Sequence, residues 1–242
     1  MNERTATVRA HPNIALAKYW GKRPVPGNVP ATPSMSITLE GLNTDTTVSF
    51  DPDLIEDTFE LDGVLRRGPT LARVVALLDD VRLASGVPMR ARVVSQNDFP
   101  TASGLASSAS GFAALAGAAS AALGLPADSQ ALSRMARRAS ASAARSIFGG
   151  FVSLGTEDDP AAVQLAGKDY WDIAVVVATV SEAAKEVSSR SGMEHCRETS
   201  PYYRSWVDDA GRLHQELCDA LRNRDLPKLG FGAEVSALRM HA

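Results

Sequence analysis

The stretch Asn97–Gly117, NDFPTASGLASSASGFAALAG, gathers small residues around one proline and then runs into alanine and serine. Pro100 stops the preceding segment from continuing as a strand, and Gly104 permits close backbone approach. Ser103, Ser107 and Ser108 add hydroxyls that suit phosphate oxygens or a magnesium ion. Such a loop, with a helix N-terminus behind it, turns N–H groups toward an anion. The same residues also suit a tight strand-to-helix turn packed with Ala and Ser, and both readings stand on the local pattern. No Gly-Lys-Ser/Thr follows, which excludes a Walker loop, and the spacing is no dinucleotide fingerprint.

Three further segments set cations beside small or aromatic residues. In HPNIALAKYWGKR (His11–Arg23), Lys18, Lys22 and Arg23 flank Tyr19 and Trp20. This is an anion-binding wall or an amphipathic edge strand with exposed lysines, and His11 reads as a hydrogen-bonded structural histidine. In RRASASAARSIFGG (Arg137–Gly150), Arg145 rises from Ala143, Ala144 and Ser146, and no acidic residue lies between Asp128 and Glu157. A planar guanidinium there suits a carboxylate or phosphate, whereas Arg137 and Arg138 read as solvated. KEVSSRSGM (Lys185–Met193) reads by default as a solvated loop. These segments together point to a ligand with several anionic groups.

Strands and helices must interleave to position these segments. Thr5–Ala10, Ser34–Leu39, Thr46–Phe50 and Met89–Ser95 read as strands, and Asp62-Gly63 as a hairpin turn. Apolar spacing from Thr70 predicts a helix ended by Gly86, and a second helix covers about Leu105–Leu123. Asp128 or Ser129 caps a third. Ser146–Leu154 reads as a strand through a glycine pair, and DIAVVVATV (Asp172–Val180) as a buried central strand. From Tyr202 the chain reads as helical, with a break near Pro227. The expectation is an α+β or α/β pattern with a boundary near Asp158–Lys168.

A net charge of −3 argues against nucleic acid or an anionic membrane as the main partner. Cys196 and Cys218 make neither a disulfide framework nor a zinc site, so a reduced cytoplasmic compartment is expected. The N-terminal residues show no apolar core of signal-peptide length, and no apolar run is long enough to span a bilayer.

Taken in order, NIALAKYWGKR, PATPSMSITL, NDFPTASGLASSASGFAAL, ASASAARSIFGGF and SSRSGM…TSPYY resemble the successive motifs of mevalonate diphosphate decarboxylases. These belong to the superfamily of galactokinase, homoserine kinase, mevalonate kinase and phosphomevalonate kinase. The resemblance covers Ala10–Ala242. It implies a two-lobed α+β fold: a ribosomal-S5-domain-2-like N-terminal lobe over residues 1–160, and a partial ferredoxin-like lobe over 161–242. The implied activity is ATP-dependent decarboxylation of mevalonate 5-diphosphate to isopentenyl diphosphate, with Mg2+, in the mevalonate pathway. A homodimer is common in the family.

Carried over by position, Pro100 and Ser103, Gly104, Leu105, Ala106, Ser107 and Ser108 form the ATP phosphate loop. Lys18, Tyr19, Trp20 and Lys22 match the substrate wall, and Ser140, Ser142 and Arg145 match the element whose arginine engages the substrate carboxylate. Ser189 and Arg190 match the loop that grips the diphosphate. Arg145 and Lys18 take the catalytic roles. Two departures stand out. Ala141 replaces a family glycine, and the family's catalytic aspartate falls downstream of the helix matching GAEVSALRMHA, so a truncated chain is expected. The alternatives within the resemblance are a mevalonate 3-kinase, a phosphomevalonate decarboxylase, and a ligand-binding protein without the base.

Overall fold

The computed structural model describes residues 3–99, 107–178 and 187–242, the side chain of Arg190 excepted. The strands are β1 (Arg4–Ala10), β2 (Asn13–Ala17), β3 (Ser34–Thr38), β4 (Thr44–Asp51), β5 (Thr58–Leu61), β6 (Val64–Arg66), β7 (Arg90–Asn97), β8 (Phe151–Leu154) and β9 (Val163–Ala166). The helices are α1 (Gly68–Ser85), α2 (Ser107–Ala122), α3 (Ser129–Ala139), α4 (Ser189–Thr199), α5 (Tyr203–Arg222) and α6 (Leu226–His241), with a 3-10 segment at Ala141–Ile147. The architecture is α+β with two sheets: a mixed one ordered β1-β4-β7-β5-β6, in which only β5 and β7 run parallel, and an antiparallel one ordered β2-β3-β8-β9.

Alternation explains the first sheet. In β4, Thr44, Thr46, Val48 and Phe50 point inward, and in β7 Ala91, Val93 and Ser95 do. Val48, Phe50 and Val93 pack under Leu78 of α1 and Leu115 of α2. The turn joining β5 to β6 has φ of 53° at Asp62 and 75° at Gly63, the backbone that Asp-Gly favours. Helix α1 is fastened by Arg82, which donates to Met89 O at 2.8 Å and pairs with Asp57, both side chains being buried.

The second sheet carries α5 and α6 on one face. Met35 and Phe151 meet Leu213, Leu217, Leu221 and Leu229 there. Asp225 caps α6 by accepting from Lys228 N. Among the described residues no helix is long and apolar enough to cross a membrane.

Three expectations are corrected. The strand expected over Ser146–Leu154 begins only at Phe151, because residues 141–147 wind into the 3-10 segment. Residues 172–178 are not a buried central strand: they lie in no strand, and Val176 is 92% exposed. A central strand needs a neighbour on each side, and among the described residues this run pairs with none. Arg137 is not solvated. It is 1% exposed, donates to Gly27 O at 2.9 Å and pairs with Asp159. Arg138 does reach the surface, where it pairs with Asp80.

Helix α5 is pinned to β8 by a hydrogen bond of 2.8 Å between Ser153 Oγ and His214 Nε2. Burial lowers the His214 pKa from its ordinary 6.5. The fold thus favours neutral imidazole, so its contribution is full above pH 6.5 and is lost as pH falls below it. Melting temperature is therefore expected to drop between pH 7.5 and 5.5, and His214→Gln to flatten that drop. An identical pH profile in the variant would remove His214 from the account.

Candidate functional site

Helix α2 is described from Ser107 onward, and Ser107 and Ser108 are its first described residues. Pro100, Ser103, Gly104, Leu105 and Ala106 lie outside the described residues. The first sheet turns polar at this end. Thr44 Oγ1 hydrogen-bonds Asn97 Oδ1 at 2.6 Å and Ser110 Oγ at 2.7 Å, and Thr46 Oγ1 meets Ser95 Oγ at 2.5 Å. A cavity of about 130 Å3 opens beside Ser107 and Ser108. Leu61, Val74 and Leu115 give it apolar walls, Ser95 and Asn97 supply polar groups, and the Arg73 guanidinium lies 4.4 Å from the centre of the Phe112 ring. Apolar walls with a few placed polar groups are the usual lining of a small-molecule site.

The segment Lys18–Lys22 leaves the end of β2 and is braced by the last two helices. Lys18 N donates to Ser236 Oγ of α6 at 2.9 Å, and Trp206 Nε1 of α5 donates to Trp20 O at 2.8 Å. The Trp20 indole N–H is buried without a partner among the described residues. Gly21 has φ 123°, and a Cβ built on it would overlap the Tyr203 hydroxyl. Burial, and then the nearby Arg145, lower the Lys18 pKa. Lys22 Nζ donates to Asn28 Oδ1 at 2.7 Å.

Arg145 is 2% exposed on the 3-10 segment. Its Nε donates to Ser36 Oγ at 3.0 Å, its Nη1 to Ser34 Oγ at 2.7 Å and its Nη2 to Asn13 Oδ1 at 3.3 Å. All three acceptors are neutral, and among the described residues no carboxylate pairs with it. Burial pushes its pKa down to about 10, with Tyr19 acting the other way. A guanidinium has five N–H donors, so one remains on each Nη. A buried cation with only neutral partners is costly to fold around. That expense sets Arg145 apart from the buried Arg82, which is paired with a carboxylate.

Ser140 caps α3, and its Oγ lies 3.3 Å from Ser142 Oγ. Asn13 ties this segment to the arginine by donating to Ser142 O at 3.1 Å and Ser146 Oγ at 2.8 Å. The expected loop at Lys185–Met193 is corrected from Ser188 onward. Ser188 caps α4 by accepting from Ser191 N at 3.1 Å, which places Ser189 and Arg190 in the first turn of a helix. Gly192 of that helix faces Trp20, and Met193 shares a cavity with Lys22. The segments at 18–22, 140–145 and 188–194 therefore converge.

Sequence reading passed over Asn13, Ser34 and Ser36. The two serines carry a legible signal, because they occupy alternate, inward-facing positions of β3 where apolar side chains normally stand. Asn13 carries none, since its partners lie 129 and more positions away.

Residues 10–166 match the family described as the diphosphomevalonate decarboxylase-like N-terminal domain. The chain belongs to the diphosphomevalonate decarboxylase family. Within it, the diphosphomevalonate decarboxylase of Eremothecium gossypii is 38% identical over 240 residues, which are 91% of this chain and 60% of that protein. Among solved structures, one in complex with MVAPP, AMPPCP and magnesium superposes with a TM-score of 0.89 at 40% identity, covering 99% of this chain and 74% of that one. A mevalonate diphosphate decarboxylase from Enterococcus faecalis, whose ATP binding is described as mediated by mevalonate diphosphate, gives 0.86 at 38% over 99% and 74%. The α+β architecture is accordingly the small-molecule-kinase fold of this family. The chain spans about three fifths of the length of the curated relative.

Proposed function

We propose that this protein takes part in the ATP-dependent decarboxylation of mevalonate 5-diphosphate to isopentenyl diphosphate. The observation that carries the reading is Arg145, a buried guanidinium with neutral partners only, in a chain of this family. Its two remaining N–H groups would take the substrate C1 carboxylate. Lys18, Tyr19, Trp20 and Lys22 would form the wall along the substrate, with Ser140 and Ser142 opposite. Ser189 and Arg190, at the start of α4, would hold the diphosphate. Residues 1–160 would carry the nucleotide and 161–242 part of a second lobe, with the β8–β9 hairpin straddling the line between them.

Pro100–Ser108 would receive the ATP phosphates and the adjoining cavity the base. Magnesium would arrive with the triphosphate. Hydroxyl, water and phosphate oxygens suffice for that ion, and the Ser107 and Ser108 hydroxyls supply two. A cytoplasmic setting rests on the two cysteines remaining free.

The chemistry follows from the substrate. Its 3-hydroxyl is a poor leaving group, and phosphorylation from ATP makes it a good one. The C3–O bond then breaks, phosphate departs, and the C1–C2 electron pair becomes the C2–C3 double bond as carbon dioxide leaves. Positive charge held near the departing phosphate eases the separation of charge. Arg145 fixes the carboxylate end so that the breaking bonds stay aligned.

The test gives a full-length version of the protein C1-labelled mevalonate 5-diphosphate with ATP and Mg2+. Labelled carbon dioxide and ADP in equal amounts are expected. ADP without carbon dioxide would turn the reading into a 3-kinase. Reaction only with mevalonate 5-phosphate would make it a monophosphate decarboxylase, and no product at all would leave a ligand-binding protein.

A further inference from the structure

We propose that Asn28 is a positioning residue for Lys22, an inference that rests on reading Lys22 as a ligand-facing cation. Lys22 is a long, flexible side chain beside a cavity of about 400 Å3 bounded by Gly27 and Asn28 on one side and Met193 and Glu194 on the other. Left to itself, a lysine loses rotamer entropy each time it meets an anion. Here Asn28 Oδ1 already holds the ammonium at 2.7 Å.

Asn28 can do this because its own amide is fixed at the other end. Its Nδ2 donates to Arg138 O at 2.6 Å and Arg137 O at 3.3 Å, carbonyls in the last turn of α3. Its backbone has φ 54°, a left-handed conformation that asparagine tolerates better than most residues. The buried Arg137 closes the bracket by donating to Gly27 O at 2.9 Å. The chain leaving those carbonyls runs directly into Ser140 and Ser142. Asn28 thus sets the Lys22 ammonium relative to the serine pair, joining two walls that are more than a hundred positions apart in the chain. Glu194 is the acidic group facing this cation from α4, and Lys22 lowers its pKa after Arg197 does.

The test is a double-mutant cycle of Asn28→Gly and Lys22→Ala, read as the affinity for mevalonate 5-diphosphate by calorimetry. Glycine keeps the positive φ, so Asn28→Gly removes the amide without straining the backbone. Asn28→Gly is expected to weaken binding by about tenfold, the usual scale of one lost hydrogen bond to a charged group. The double variant should bind no worse than Lys22→Ala alone, because Asn28 acts only through Lys22. Additive losses would overturn the proposal and make Asn28 a packing residue. An unchanged affinity in Asn28→Gly, with Lys22→Ala impaired, would overturn it while sparing the reading of Lys22. An unchanged affinity in Lys22→Ala, or no binding by the wild-type chain, would overturn both.

Discussion

Arg145→Lys is expected to cut the affinity for mevalonate 5-diphosphate while leaving that for isopentenyl diphosphate, which has no carboxylate, almost unchanged. Lysine keeps the charge but loses the planar fork that spans Ser34, Ser36, Asn13 and an anion together. A lost charge-assisted contact costs about 1.5–3 kcal/mol, which is a loss of about tenfold to more than a hundredfold in affinity. The comparison of two ligands separates function from folding. Were Arg145 only structural, its replacement would disturb the whole wall, and both ligands would lose affinity together. Equal losses for the two, or none for either, would return Arg145 to a structural role. Stability should also respond, because lysine leaves part of the Ser34–Ser36–Asn13 acceptor set without a donor, and melting curves on the ligand-free variant measure that separately.

Gly21→Ala is expected to be the most disruptive small substitution in the Lys18–Lys22 wall. At φ 123° a side chain is strained wherever it points, at about 1–3 kcal/mol. The new Cβ would also overlap the hydroxyl of Tyr203, whose ring is half-buried at the start of α5. Overpacking of this kind costs about 1–3 kcal/mol more. Tyr203→Phe removes the overlapping oxygen but not the backbone strain, so the double variant should recover part of the loss. The measurement is the urea midpoint of the four proteins, with mevalonate 5-diphosphate binding as the second readout. A Gly21→Ala protein that melts and binds as wild type would mean that the wall is not held in the described conformation.

The parts of the fold legible in the sequence are those decided locally. Alternation over Thr5–Ala10 placed β1, β-branched residues over Thr46–Phe50 placed β4, Asp62-Gly63 placed the hairpin, and the Asp128-Ser129 pair marked the start of α3. Arg145 was legible because its neighbours are too small to partner it. What escaped was decided at a distance. Arg137 reads as a solvated helix end until Gly27 and Asp159 arrive to bury it. The apolar run at 172–178 reads as a strand because composition says nothing about whether a neighbour exists to pair with it. Ser188 reads as a loop serine, yet it accepts from Ser191 N and opens α4. Asn13 and Asn28 were invisible because single asparagines carry no period, and their value lies in bridging segments that meet only after folding.

The proposed function requires this chain to recognise both ends of one ligand, a carboxylate at Arg145 and a diphosphate at Lys22 and the start of α4. Calorimetric titration of the wild-type chain with mevalonate 5-diphosphate, mevalonate 5-phosphate and isopentenyl diphosphate tests it most directly. Mevalonate 5-diphosphate should bind at a single site, and each truncated ligand about tenfold or more weaker, since each forfeits one charge-assisted contact. Equal affinity for all three would contradict the account, because a site indifferent to the carboxylate and to the second phosphate has no use for an arginine buried among neutral partners.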